Sequence, residues 1–108
     1  ASDSFGRDGA RWLAKLAPDF GVSIIASEQF NPSDVDMKSQ LTKLAAAQPQ
    51  AIVCWTIGPA GAIVSKNHHA LGLTTPLVQC HGLPDPGYIK LAGAAAEGDL
   101  MPATKLMT

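Results

Sequence analysis

The sequence predicts an α/β protein: a parallel sheet with helices on both faces, three layers in all. Three observations predict it. Apolar residues recur at helical spacing in three separate stretches. Between the stretches lie short apolar runs bounded by Gly, Pro or Asn. The connections are short, and alternation of this kind builds a parallel sheet through crossover helices. The 108 residues suit one domain with one core.

Phe5, Trp12, Leu13, Leu16 and Ala17 mark the first helix, with Arg7, Asp8, Arg11 and Lys15 between them. Asp3 or Ser4 caps it, since a short side-chain oxygen accepts from the unpaired N–H groups of the first turn. Pro18 and Gly21 close it. Residues 21–26 (Gly-Val-Ser-Ile-Ile-Ala) read as the first strand. Asn31-Pro32-Ser33-Asp34 is a turn. Val35, Met37, Leu41, Leu44 and Ala45 then form the apolar stripe of a second helix, ended by Gln48-Pro49.

Residues 51–55 (Ala-Ile-Val-Cys-Trp) are apolar throughout, as a strand covered on both faces requires. Gly58-Pro59-Ala60 opens a third helix, proline being tolerated in a first turn, and Gly72 stops it. Residues 76–80 are the third strand. A Gly/Pro-rich loop follows, then a helical turn over 88–92 and a last short strand over 98–101. The chain opens on a helix where a βα alternation calls for a strand, so a piece cut from a longer protein is expected.

Composition excludes several functions. Apolar residues are 46% and charged residues 16%, which is the balance of a globular protein. The net charge of −1 comes without a basic block, so nothing attracts nucleic acid or an anionic membrane. No apolar run nears the ~20 residues that span a bilayer, and no signal peptide precedes the first helix. Cys54 and Cys80 have no metal-ligand spacing, and whether they pair is left open. His68 and His69 point about 100° apart on a helix and cannot share a metal. They read as a solvated face. Gly58-Pro59-Ala60-Gly61 lacks the lysine and spacing of a phosphate loop. No cofactor and no metal are expected.

In open parallel sheets, ligands bind beyond the carboxyl ends of the strands. That edge collects Glu28, Gln29 and Phe30 after the first strand, and Trp55, Thr56, Ile57, Gly58 and Pro59 after the second. His81 and Gly82 follow the third strand, and Ser4, Phe5 and Gly6 begin the first helix. Phe5 reads as a ligand wall or a helix-start staple, Trp55 as a wall or as core, and His81 as a contact or a structural histidine. The helix starting near Gly58 aims N–H groups at the edge, which favours an anion. Cys54 with His81 is the nucleophilic alternative. Against it, Cys54 lies in an apolar run and no third residue orients the histidine, so no catalytic residue is expected.

The run Asp3-Ser4-Phe5-Gly6-Arg7-Asp8-Gly9 resembles the helix start of the second lobe in type I periplasmic solute-binding proteins of ABC importers, the branched-chain amino-acid-binding or extracellular ligand-binding receptor family. Gly21-Val22, then Pro32-Ser33-Asp34-Val35-Asp36 and Leu41-Thr42-Lys43-Leu44, resemble its next segments. So do Gln48-Pro49-Gln50-Ala51-Ile52-Val53, the Ala-Leu-Gly-Leu-Thr-Thr-Pro stretch over 70–76, and Glu97-Gly98. The resemblance spans nearly the whole chain and rests on the ordered series, not on one motif.

It implies a Rossmann-like fold in two lobes that close on a small molecule, with residues 1–108 forming one incomplete lobe. It also implies a periplasmic or extracytoplasmic location and delivery to an ABC permease. An isolated piece is expected to bind weakly or not at all, and whether it stays a monomer or associates with itself through uncovered surface is left open. The expected ligand contacts are Phe5, Trp55, Thr56, Ile57, Gly58, Pro59 and His81. Ile57 falls where amino-acid binders tend to carry a tyrosine, and His81 where they carry the acid that pairs with the ligand's ammonium. A protonated histidine offers only donors. An aromatic or other non-amino carboxylate is therefore expected over a branched-chain amino acid. A ligand-sensing domain of a receptor or regulator would use the same fold.

Overall fold

The computed structural model describes residues 1–80, 86–96 and 98–100. The order is α1 (Ser4–Leu16), a 3₁₀ turn (Ala17–Phe20), α2 (Lys38–Ala46), β1 (Ile52–Cys54), α3 (Pro59–Ala70), β2 (Leu77–Gln79), α4 (Pro86–Ala92) and a second 3₁₀ turn (Gly93–Ala96).

β1 and β2 are parallel, with Ile52 opposite Leu77 and Cys54 opposite Gln79. Leu100 extends the sheet on the far side of β2: its N–H donates to the Leu77 carbonyl at 3.0 Å, and its own carbonyl accepts from Gln79 at 2.7 Å. Side chains alternate along a strand, so Ile52, Cys54 and Leu77 share one face. They pack there with Met37, Leu41 of α2, and Ala60 and Val64 of α3. Phe30, Leu44, Ile63 and Leu73 border this core. Tyr88 and Ala92 of α4 pack against Ala62 of α3 as a second, smaller cluster.

The caps follow the sequence closely. Asp3 accepts from the Gly6 N–H at 2.9 Å and starts α1. After the 3₁₀ turn, Gly21 takes the left-handed conformation, φ 68°. Gly58, at φ 76° and ψ −162°, occupies a region that is essentially glycine's alone, and Pro59 begins α3 behind it. Gly72 closes the far end at φ 67°.

Five expectations need correction. The described sheet has two strands and one bridge, so the three-layer arrangement is only partly present. Among the described residues its second face is thinly covered: Val53 is half-exposed, and α1 meets that face at Trp55. Residues 21–26 are not a strand, because no described strand pairs with them. The strand over 98–101 reduces to the Leu100 bridge, and Met101 lies outside the described residues. The second helix starts at Lys38 rather than Val35, which is 81% exposed. Local side-chain bonds win there. Asn31 accepts from the Ser33 N–H, Asp34 from Asn31 and Asp36 from Lys38, holding the chain in successive turns.

The fifth correction concerns α1. Its expected apolar stripe is not its buried side: Trp12 and Leu16 are largely exposed, while Gly6 and Gly9 are buried. The helix lies so close to its neighbours that only glycine fits. A Cβ at Gly9 would fall 2.3–2.4 Å from the Trp55 ring, and one at Gly6 would fall 2.0 Å from the Ala1 carbonyl oxygen.

Candidate functional site at the carboxyl edge of the sheet

α1 begins, and β1 ends, at the same edge. There the rings of Phe5 and Trp55 come together, their centroids 6.1 Å apart and tilted by 33°. Both are half-buried. The bare backbone at Gly9 lets the Trp55 ring lie directly under α1. Beyond Trp55 the chain turns through Thr56 and Ile57 into α3. Ile57, Gly58 and Pro59 are exposed, so this turn presents an apolar lip beside the aromatic pair.

Thr56 differs from its neighbours. It is fully buried, its hydroxyl donates to the Ile57 carbonyl at 3.3 Å, and its own carbonyl accepts from the Cys80 thiol at 2.7 Å. It holds the turn in place rather than facing outward. At the start of α3, Pro59 has no N–H and the Gly61 N–H goes to the Gly58 carbonyl at 3.3 Å.

His81 lies outside the described residues. Of the other edge residues, Phe30 packs on the core, Glu28 pairs with Lys43 at 3.7 Å, and the Gln29 carbonyl accepts from Gln40 at 3.1 Å. These contacts bind residues 28–30 to α2. The structure therefore joins Phe5, Trp55 and the 57–59 turn into one surface and draws Glu28 away from it.

Cys54 is no nucleophile. Burial pushes its thiol up to about 12, so it stays protonated at neutral pH. Both cysteines are free, and the strand alternation turns them to opposite faces. His68 is not simply solvated, because its Nε2 lies 2.7 Å from the Thr75 carbonyl. Among the described residues, no cluster of His, Cys, Asp or Glu is placed to hold a metal. A groove lined by His68, Leu73, Thr75 and Asp99 opens at the other end of β2, away from the aromatic pair.

A polar cluster between α3, α4 and β2 was not legible in the sequence. The Ser65 hydroxyl and the Tyr88 phenol lie 2.6 Å apart, and both reach the Asp99 carboxylate. Gln79 donates to the Gly61 carbonyl at 3.0 Å and to the Tyr88 oxygen at 3.3 Å. The signal was a glutamine inside the apolar run 76–80, since a buried polar side chain needs partners. The cluster ties β2, α3, α4 and Asp99 together.

Burial, followed by the Asp99 carboxylate, pushes the Tyr88 phenol up to about 12. Between pH 10 and about 12 the folded protein keeps a proton that the unfolded chain loses, so stability falls as pH rises through that window. Cys54 adds to the fall from pH 9 upward. We expect Tyr88→Phe to flatten the decline of the urea midpoint above pH 10. An unchanged decline would remove Tyr88 from this account.

A family model described as periplasmic binding protein matches residues 1–105. Curated proteins yield no significant match. Among solved structures, the chain is similar to Rp1789 of Rhodopseudomonas palustris, with 35% identity and a TM-score of 0.88, over 93% of this chain and 28% of that one. An extracellular ligand-binding receptor from Rhodopseudomonas palustris HaA2 gives 35% and 0.84, with the same coverage. A branched-chain amino acid ABC transporter from Thermus thermophilus with bound valine gives 27% and 0.83, over 93% of this chain and 26% of that one. The chain thus spans little more than a quarter of the length of the structures it matches. With a family match along almost all of its residues, the chain belongs to the periplasmic binding protein family, a family of binding proteins rather than enzymes.

Proposed function

We propose that this chain is part of one lobe of a two-lobe solute-binding protein that works outside the cytoplasm and delivers its ligand to an ABC permease. The Phe5–Trp55 pair carries the reading. Two aromatic rings stand half-buried at the carboxyl edge, beside the exposed lip of Ile57, Gly58 and Pro59. A second lobe closing over them would bury a flat, apolar ligand against the rings, and the Gly58 and Ala60 amides suit its carboxylate. His81, two residues along the chain from the end of β2, adds a donor in this reading.

The ligand class we favour is an aromatic or other non-amino carboxylate. Ile57 supplies no hydroxyl, and among the described residues no acidic side chain is placed with the aromatic pair to meet an ammonium. The Thermus thermophilus relative with its valine supports a second reading, a branched-chain amino acid.

A thermal-shift screen of the longer, two-lobe protein separates the two. A ligand at a hundred times its Kd adds about 2.7 kcal/mol, a rise of several degrees in melting temperature. Benzoate-like acids are expected to give that rise while valine and leucine give none. The reverse pattern would replace the carboxylate with an amino acid.

A further inference from the structure

A groove of about 370 Å³ opens at the amino end of β2, at the opposite end of the strands from Phe5 and Trp55. That volume suits a small molecule. His68 and His69 in the last turn of α3, then Leu73, Thr75 and Pro76 on the way to β2, and Asp99 line it. None of them belongs to the aromatic edge.

The walls of the groove are fixed by their own bonds. His68 Nε2 lies 2.7 Å from the Thr75 carbonyl. A carbonyl only accepts, so this nitrogen carries a hydrogen and the ring is held against the link to β2. Gly72, at φ 67°, turns the chain out of α3 and into that link. Asp99 is held from the protein side. The Ser65 and Tyr88 hydroxyls both reach its Oδ2, and Gln79 in turn donates to the Tyr88 oxygen. Ser65 and Gln79 are fully buried, so the carboxylate stands on a rigid polar base.

Asp99 combines this fixed position with an uncompensated charge. It is half-buried, and among the described residues no Lys, Arg or His side chain comes within ion-pair distance of it. The two hydroxyls solvate the carboxylate without neutralising it, and Oδ1 has no partner among the described residues. A carboxylate that has lost part of its hydration is stabilised by a nearby positive charge. The carboxyl end of α3 borders the same groove and adds the negative end of a helix dipole. His68 does not answer this field, because its Nε2–H is spent on Thr75.

We infer that the groove is a second ligand site, which takes a small aliphatic ammonium ion. The N–H groups of the ion meet Asp99 Oδ1, and its short alkyl body lies along Leu73 and Pro76. The site is occupied independently of the aromatic edge and does not depend on which ligand binds there.

The test follows amide resonances of the isotope-labelled two-lobe protein at constant ionic strength. It is titrated with n-butylammonium chloride and, separately, with n-butanol as the uncharged counterpart. Butylammonium is expected to give saturable shifts at Leu73, Thr75 and Asp99, and butanol none that saturate. Asp99→Asn keeps an acceptor for Ser65 and Tyr88 but removes the charge. It should raise the Kd for butylammonium at least about tenfold, as loss of a charge-assisted bond implies. His69 is exposed and lies outside the polar cluster, so its variants test the charge without disturbing the core. His69→Lys should raise the Kd by about twofold or more and His69→Glu should lower it by a similar factor. Should Asp99→Asn not fold, the His69 pair decides. Butanol binding as tightly as butylammonium would overturn the inference, as would an unchanged Kd in a folded Asp99→Asn or the same response in both His69 variants. Shifts at Phe5 and Trp55 alone would overturn it too, by placing the amine at the aromatic edge.

Discussion

Leu77→Ala is expected to cost this chain about 3–5 kcal/mol of its stability. Leu77 is 1% exposed and sits opposite Ile52, at the centre of the seven-residue core. Truncating a buried leucine costs about 2–5 kcal/mol, through lost burial and the cavity left behind. A chain of this length has a total of only about 5–15 kcal/mol. With two short strands, little remains to close the gap, so the upper half of the range applies. Urea unfolding followed by circular dichroism measures it. Ile89→Ala, at a 58% exposed position, serves as the control and should stay within about 0.5 kcal/mol of the parent. Equal midpoints for the two variants would mean that the core lies elsewhere.

Gly9→Ala has the second-largest expected effect. By helix propensity alone, alanine would gain up to about 1 kcal/mol. The contact opposes this. The new Cβ would lie 2.3–2.4 Å from three atoms of the Trp55 ring, closer than any real contact, so the ring must move. Forcing such a shift costs about 1–3 kcal/mol, and steric overlap outweighs propensity. The ring can move only away from α1, and so out of its packing with Phe5. In a Trp12→Phe background, Trp55 is the sole tryptophan and reports directly. Its emission is expected to shift to the red, with a fall in the urea midpoint. Unchanged emission together with a raised midpoint would show that α1 does not cross over Trp55.

These two sites mark what was legible in the sequence. The alternation of elements was, because each helix carries its own punctuation: Asp3 at one start, Gly58-Pro59 at another, Gly72 at an end. The strand at 52–54 was too, since a continuous apolar run has no other place to go. Residues 21–26 carry the same signal, yet they form no strand here. Composition specifies a preference for pairing and cannot supply the neighbour. Leu100, by contrast, found its neighbour in Val78.

The buried side of α1 was misread for a different reason. Periodicity counts apolar side chains, and this helix is buried through the two positions that have none, Gly6 and Gly9. The placement of the edge residues, though not their role, was legible in outline. Phe5, Trp55, Ile57, Gly58 and Pro59 were placed on one edge by a rule about parallel sheets, and the structure gathers them there. Only the inward turn of Thr56 had no signal, because a threonine in a strand-to-helix turn serves packing and ligand contact equally well.

The central claim is that the Phe5–Trp55 surface is one wall of a ligand cleft. It is tested most directly by titration calorimetry of the two-lobe protein, comparing Phe5→Ala with the parent for the tightest ligand of the screen. An aromatic contact is worth about 0.5–1.5 kcal/mol beyond the area it buries, and 1.4 kcal/mol is a factor of ten in Kd. The account predicts a Kd raised about tenfold or more, with the fold intact by circular dichroism. An unchanged Kd would place the ligand somewhere other than this edge.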